Sequence, residues 1–164
     1  MGFCSLAQIT FFNKILTLIL TVMQLVYFFN ADRKASFKSR NRLKNFLIAL
    51  LKKESARELI GLSYIFCSDN YLLEINRKFL HHDFYTDIIT FDLSSDKTKL
   101  IGEIYISIDR VKENAKSLGT SYHEELHRVI FHGALHLCGF KDKTKQQKGI
   151  MRKMEDKTLE LYFK

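Results

Sequence analysis

The sequence predicts an α+β fold with a buried central helix carrying an HxxxH pair in the manner of zinc hydrolases. Three observations predict it. Stretches rich in β-branched and aromatic residues alternate with stretches of helical periodicity. The helix starting near Ser121 and running through His136 becomes apolar on almost every side toward its end (Val129, Ile130, Phe131, Ala134, Leu135, Leu137), as a helix in a domain centre must be. It leads into His132-Gly133-Ala134-Leu135-His136-Leu137-Cys138-Gly139-Phe140-Lys141-Asp142, which places two imidazoles on one helix face and a carboxylate just beyond its end.

Size and composition fit one domain. A chain of 164 residues with 46% hydrophobic and 13% aromatic residues can fill one core, which argues against disorder. Lys and Arg number 26 against 18 Asp and Glu, a net charge of +8. That balance favours an anionic partner such as RNA, DNA or a membrane surface, with simple solubility as the competing reading. Cys4, Cys67 and Cys138 are widely spaced and form no CxxC, so a reducing, cytosolic setting is expected rather than a disulfide framework.

In chain order, residues 1–22 form an apolar N-terminal extension. A secretory signal fits poorly, because the stretch before the apolar run is long and no Ala-x-Ala-like site follows. A membrane anchor is interrupted by Thr17, Thr21 and Gln24. The preferred reading is a translated leader ahead of a true start at Met23, because residues 23–29 read as a first strand. The domain is then residues 23–164. N-terminal sequencing of the native protein should begin at Met23; an upstream residue would refute this reading.

Residues 33–53 hold eight basic side chains and no acidic one, while Leu43, Phe46, Leu47, Leu50 and Leu51 recur at helical spacing. This is an amphipathic helix whose basic face is either a solvated surface or a phosphate-binding one. Residues 62–67 read as a strand. Ser68-Asp69-Asn70 then caps a helix bearing Leu72, Leu73, Ile75 and Phe79. Residues 88–91 and 101–107 are the next strands, joined by a polar loop at 94–99. A short polar helix over 109–118 is closed by Gly119. Ser121 and Glu124 fit a capping box for the central helix. A final helix over 145–162 is expected to turn Ile150, Met154, Leu159 and Leu161 inward.

Two HxxxH pairs compete for a metal. His123-Glu124-Glu125-Leu126-His127 matches the HExxH of zinc peptidases. At about 100° per residue it lies on the helix face nearly opposite His132 and His136, so one ion cannot use both pairs. His123 and His127 share their side with Leu126, Ile130 and Ala134 and are read as helix-start or core-edge residues. His132, His136 and Asp142 have the HxxxHxxGxxD spacing of metzincin ligands, and three protein ligands leave one zinc position open for chemistry. Position 133, where those peptidases keep a glutamate base, is glycine. That disfavours peptide hydrolysis and suits Lewis-acid chemistry on a phosphodiester, with water held by the metal as nucleophile. Cys138 lies two residues past His136 and points away from the pair.

These residues resemble the YbeY family of bacterial endoribonucleases, the ribosomal RNA maturation factors. The resemblance rests on His-Gly-x-Leu-His-Leu-x-Gly-Phe at 132–140 and on Glu74-Ile75-Asn76 with Phe79. It also rests on Thr86-Asp87-Ile88-Ile89-Thr90-Phe91 and on Gly102-Glu103-Ile104-Tyr105-Ile106-Ser107. It implies a mixed sheet of about four strands packed by helices, with one zinc ion at the end of the central helix. It further implies cleavage of single-stranded RNA, maturation of the small-subunit ribosomal RNA 3′ end and ribosome quality control. The implied partners are ribosomal RNA, the small subunit and ribosome-assembly proteins; the implied location is the cytoplasm, with no stable membrane association unless residues 1–22 persist as an anchor. Two positions depart from the family pattern. Asp142 stands where the third ligand is usually histidine. Leu80 stands where the family usually has an arginine, leaving Arg77, His81 and His82 as candidates for phosphate contact. The missing arginine favours an alternative, a ribosome-assembly or RNA-binding module with a structural metal and little catalysis.

Overall fold

The computed structural model describes residues 25–164, so the expected leader over 1–22 and the expected start at Met23 lie outside the described residues. Strand β1 (Val26–Asn30) is followed by helix α1 (Arg40–Glu54) and strand β2 (Glu58–Cys67). Helix α2 (Asp69–Ile75) runs into a π-helical turn (Asn76–Leu80). Then come β3 (Ile88–Asp92), β4 (Lys99–Ser107), α3 (Ile108–Leu118), α4 (Tyr122–Leu137) and α5 (Lys145–Phe163). The strands form one mixed sheet in the order β1-β2-β4-β3, with β3 antiparallel on its outer edge. This is the α+β architecture the sequence predicts, with strand β2 reaching four residues further back than its aromatic run indicates.

Helices α1 and α4 are laid on the sheet by their apolar faces, and α5 packs on α4. Helix α1 buries Leu43, Leu47, Leu50 and Leu51, successive positions of one helical face. Part of its basic run is consumed structurally. The Arg42 guanidinium donates to the Tyr162 carbonyl and sits over the Tyr162 ring at 4.9 Å, which ties α1 to α5. Arg33 pairs with Asp109 at 3.2 Å.

The central helix α4 lies against the sheet through two glycines. A Cβ at Gly133 would sit 2.8 Å from Ile88 Cδ1 and 2.9 Å from Ile104 Cγ2. A Cβ at Gly102 would sit 2.7 Å from Leu137 Cδ1. Position 133 therefore faces the sheet, and a larger side chain there has no room. Gly133→Ala is expected to destabilise the fold by about 1–3 kcal/mol in chemical denaturation, because both isoleucines must shift to admit it. A neutral result would show that the helix–sheet spacing is looser than these distances.

Helix α5 corrects one expectation. Ile150 and Leu161 are 47% and 50% exposed instead of buried. The inward stripe is Met151, Glu155, Thr158, Leu159 and Tyr162. The aromatic ring of Tyr162 packs on Phe46 and Phe131 at 5.1 and 5.5 Å and sets the rotation of the helix. That phase turns a carboxylate inward.

Candidate metal centre

Three local devices bring the ligands together. His132 and His136 lie one turn apart on α4, with ring centroids 4.4 Å apart. The helix then stops in a Schellman turn: the Gly139 N–H donates to the His136 carbonyl and the Phe140 N–H to the Leu135 carbonyl. Gly139 takes φ +94, a conformation that side chains disfavour, and this reverses the chain. Asp142 returns over the helix end as a result. Its Oδ2 lies 3.8 Å from His132 Nε2 and 3.7 Å from His136 Nε2.

Those distances are too long for hydrogen bonds. They are near the roughly 3.3 Å that separates tetrahedral ligands about 2.0–2.1 Å from a shared zinc ion. The three donor atoms all lie within 4.8 Å of one another, and no other group of three such residues does so among the described residues. The far side of each imidazole is already held. His132 Nδ1 donates to Glu155 Oε1 at 2.7 Å, and His136 Nδ1 donates to the Phe140 carbonyl at 2.9 Å. With Nδ1 carrying the proton, both Nε2 lone pairs point toward Asp142. Carboxylate and carbonyl partners of this kind orient metal-binding histidines.

Glu155 is the functional residue that motif spacing missed. It is 7% exposed, and its second oxygen receives Arg128 at 3.4 Å while Arg128 also binds Asp156 at 2.6 Å. Burial opposes the His132 cation, but the Glu155 hydrogen bond and charge, joined by Asp87 and Asp142, outweigh it and raise the His132 pKa. Burial and the neighbouring His132 lower that of His136. Residue spacing offers no signal for it, because Glu155 is 23 residues from His132 and only the rotation of α5 turns it inward.

The competing HExxH pair is core structure. His127 is 1% exposed; its Nδ1 donates to the His123 carbonyl at 2.6 Å, and its ring stacks on Tyr162 at 4.9 Å. Burial pushes its pKa down to about 4. As pH falls below the ordinary 6.5, the unfolded chain takes up this proton and the folded chain does not. The neutral ring's contribution is thus intact above pH 6.5 and declines toward pH 4, costing ~2 kcal/mol between pH 7 and 5. Urea denaturation at those two values should show a smaller drop for His127→Gln than for the unsubstituted protein; equal drops would contradict the assignment. Cys138 does not join the site either. It packs against the core, and burial pushes its thiol up to about 11, away from the thiolate a metal takes.

The three candidate ligands stand in a cleft of about 460 Å³ between α4, the edge strand β3 and the loop after α2. His82 and Leu80 line it. Arg77 and His81 do not: Arg77 pairs with Asp83 at 2.6 Å, and His81 is exposed with a left-handed backbone, φ 56. Asp87 also lines the cleft, held by an Asn114 Nδ2 donor at 3.1 Å.

A family model described as Endoribonuclease YbeY matches residues 27–162. The chain belongs to the YbeY endoribonuclease family. A Cytophaga hutchinsonii protein named Endoribonuclease YbeY is 50% identical over 136 residues, covering 83% of this chain and 94% of that protein. A Porphyromonas gingivalis protein of the same name is 44% identical over 131 residues, covering 80% and 86%. A Thermotoga maritima protein solved in solution aligns with a TM-score of 0.55 and 28% identity, covering 84% of this chain and 89% of that one. No described helix is long and apolar enough to cross a membrane.

Proposed function

We propose that this protein is a zinc-dependent endoribonuclease that cleaves single-stranded RNA. Its role is maturation of the small-subunit ribosomal RNA 3′ end and ribosome quality control in the cytoplasm. The observation that carries the chemistry is the convergence of His132 Nε2, His136 Nε2 and Asp142 Oδ2 in an open cleft, with both Nδ1 atoms already engaged. Membership of the YbeY endoribonuclease family supports the substrate class.

The donor set fits zinc: two neutral imidazoles and one carboxylate, three protein ligands in all. When bound, zinc supplies Lewis acidity to a phosphoryl oxygen and makes water nucleophilic near neutral pH. The chain's own residues do the rest. Glu155 and the Phe140 carbonyl hold the imidazoles in the tautomer that presents Nε2. Asp142 supplies the negative charge that a third histidine lacks, which leaves the site less electropositive than a three-histidine one. Gly133 keeps α4 against β3 and β4, so the ligands stand at a fixed depth in the cleft.

The test of the cellular role is the 3′ end of small-subunit RNA in cells lacking the protein. Extended ends restored by the intact chain, and not by a metal-site variant, support it; mature ends in the deletion would reject it. One observation favours the alternative of an RNA-binding assembly module with a structural metal. No Lys or Arg lines the cleft. Ribosome association retained in a metal-site variant, with no cleavage by the wild type under any metal, would decide for that module.

A further inference from the structure

The cleft poses a problem for an RNA-binding site. Its lining contains Asp87, Asp92 and Asp142 and no Lys or Arg, with Leu80 turned into it; of the three carboxylates Asp92 alone pairs with an arginine, Arg57 at 2.5 Å, which is not part of the lining. Charge alone would repel a phosphodiester backbone from such a surface once the metal's own charge is spent on one phosphate. Yet two aromatic rings stand open at its rim. His82 and Phe84 both line the cleft and stack on each other, centroids 5.1 Å apart and planes 24° apart. Phe84 is 57% exposed, a large apolar surface left beside a polar site.

The loop that carries these rings is braced at two points by one buried residue. Asn76 is 2% exposed and sits in the π-helical turn. Its side-chain Nδ2 donates to the Phe84 carbonyl at 2.9 Å, and its backbone carbonyl accepts the His82 N–H at 3.3 Å. His81, in the left-handed conformation, makes the bend between them. The Arg77–Asp83 pair spans the same turn. The ring pair is therefore held in place before a ligand arrives, which reduces the entropy a partner must offset.

We propose that the His82–Phe84 pair is a nucleobase subsite, on which an unpaired base beside the scissile phosphate stacks. Stacking on aromatic and histidine rings is how unpaired RNA bases are commonly held, and it tolerates any sequence because every base has a π-face. It also suits a cleft with no cationic side chain other than histidine, since a base carries no charge for the carboxylates to repel. A duplex would hide its bases from the pair, so the subsite selects single strands. The proposal rests on the RNA-cleaving function above.

The test uses zinc-loaded protein and a short single-stranded RNA carrying 2-aminopurine, with fluorescence read in the binding phase before cleavage. The wild type should change the 2-aminopurine signal on binding. Phe84→Ala should weaken binding roughly tenfold and lose that change, and Phe84→Trp should restore both. The slope of log Kd against log salt should be the same in all three, because no ion pair is removed. His82→Ala should weaken binding in the same direction. Phe84→Ala binding with wild-type affinity and signal, while the wild type still cleaves RNA, would overturn the subsite and leave the nuclease reading standing. A wild type that neither binds nor cleaves the RNA would overturn both.

Discussion

Asp142→Ala should lose zinc and RNA cleavage together, because it removes one of three ligands from a site with no substitute donor near. Among the described residues no other histidine, cysteine or acidic side chain joins the triad within 4.8 Å. Glu155 is turned to His132 Nδ1 and the half-buried Cys138 packs against the core, so neither can move in without giving up those contacts. The fold should survive: the Asp142 side chain is 44% exposed and lies beyond the end of α4. Asp142→His tests the same position from the other side and should keep zinc. Metal content is the measurement for both, with circular dichroism confirming that the chains are folded. Undiminished zinc in Asp142→Ala would remove the aspartate from the ligand set.

The second large effect is expected from a residue that never touches the ion. Glu155→Ala should weaken zinc binding by about 10–100-fold, the usual cost of losing the carboxylate that orients a metal-bound histidine. It also removes a 3.4 Å partner from Arg128, which is 8% exposed but keeps Asp156 at 2.6 Å and Glu124 and Glu125 at 3.7 and 3.9 Å. A stability loss of about 1–3 kcal/mol, the size of a lost hydrogen bond to a charged group, is therefore expected in the same variant. Glu155→Gln separates the two effects. Its carboxamide oxygen can still accept from His132 Nδ1, so the ring stays oriented while the negative charge is lost. Zinc affinity in Glu155→Gln should fall less than in Glu155→Ala. Equal zinc affinity in all three proteins would mean that Glu155 is a structural residue alone.

The parts of this site that a reader of the sequence can find are those set by local spacing. The Nε2 atoms of His132 and His136 converge because four residues make about one helical turn, and Gly139 marks where the helix must stop. Asp142 follows from the reversal that this glycine permits. The rejection of His123 and His127 is also a matter of angle along one helix, and His127 is indeed buried against Tyr162. What spacing does not reveal is the rotation of one helix against another. Glu155 is 23 residues from His132, and only the phase of α5 brings it inward. Ile150 and Leu161 suggest one phase, while Met151 and Tyr162 impose another by filling the core. Arg77, His81 and His82 are indistinguishable as neighbours of Leu80 until the π-helical turn and the left-handed His81 sort them. Then Arg77 pairs outward and His82 enters the cleft.

Gly133 changed meaning in the same way. Read along the chain it is a missing base. In three dimensions it is the contact that lets the histidine-bearing helix rest on Ile88 and Ile104. A glutamate at that position would have to displace both isoleucines, so this packing accounts for the glycine without reference to any reaction.

The central claim, that His132, His136 and Asp142 hold the ion on which RNA cleavage depends, is tested most directly by one paired measurement. Zinc content per chain and cleavage of a single-stranded RNA are determined for the purified protein and for His132→Ala. The account predicts close to one zinc ion and cleavage for the unsubstituted chain, and neither for the variant. Equal zinc in both proteins would contradict the ligand assignment, and equal cleavage would contradict the metal's role.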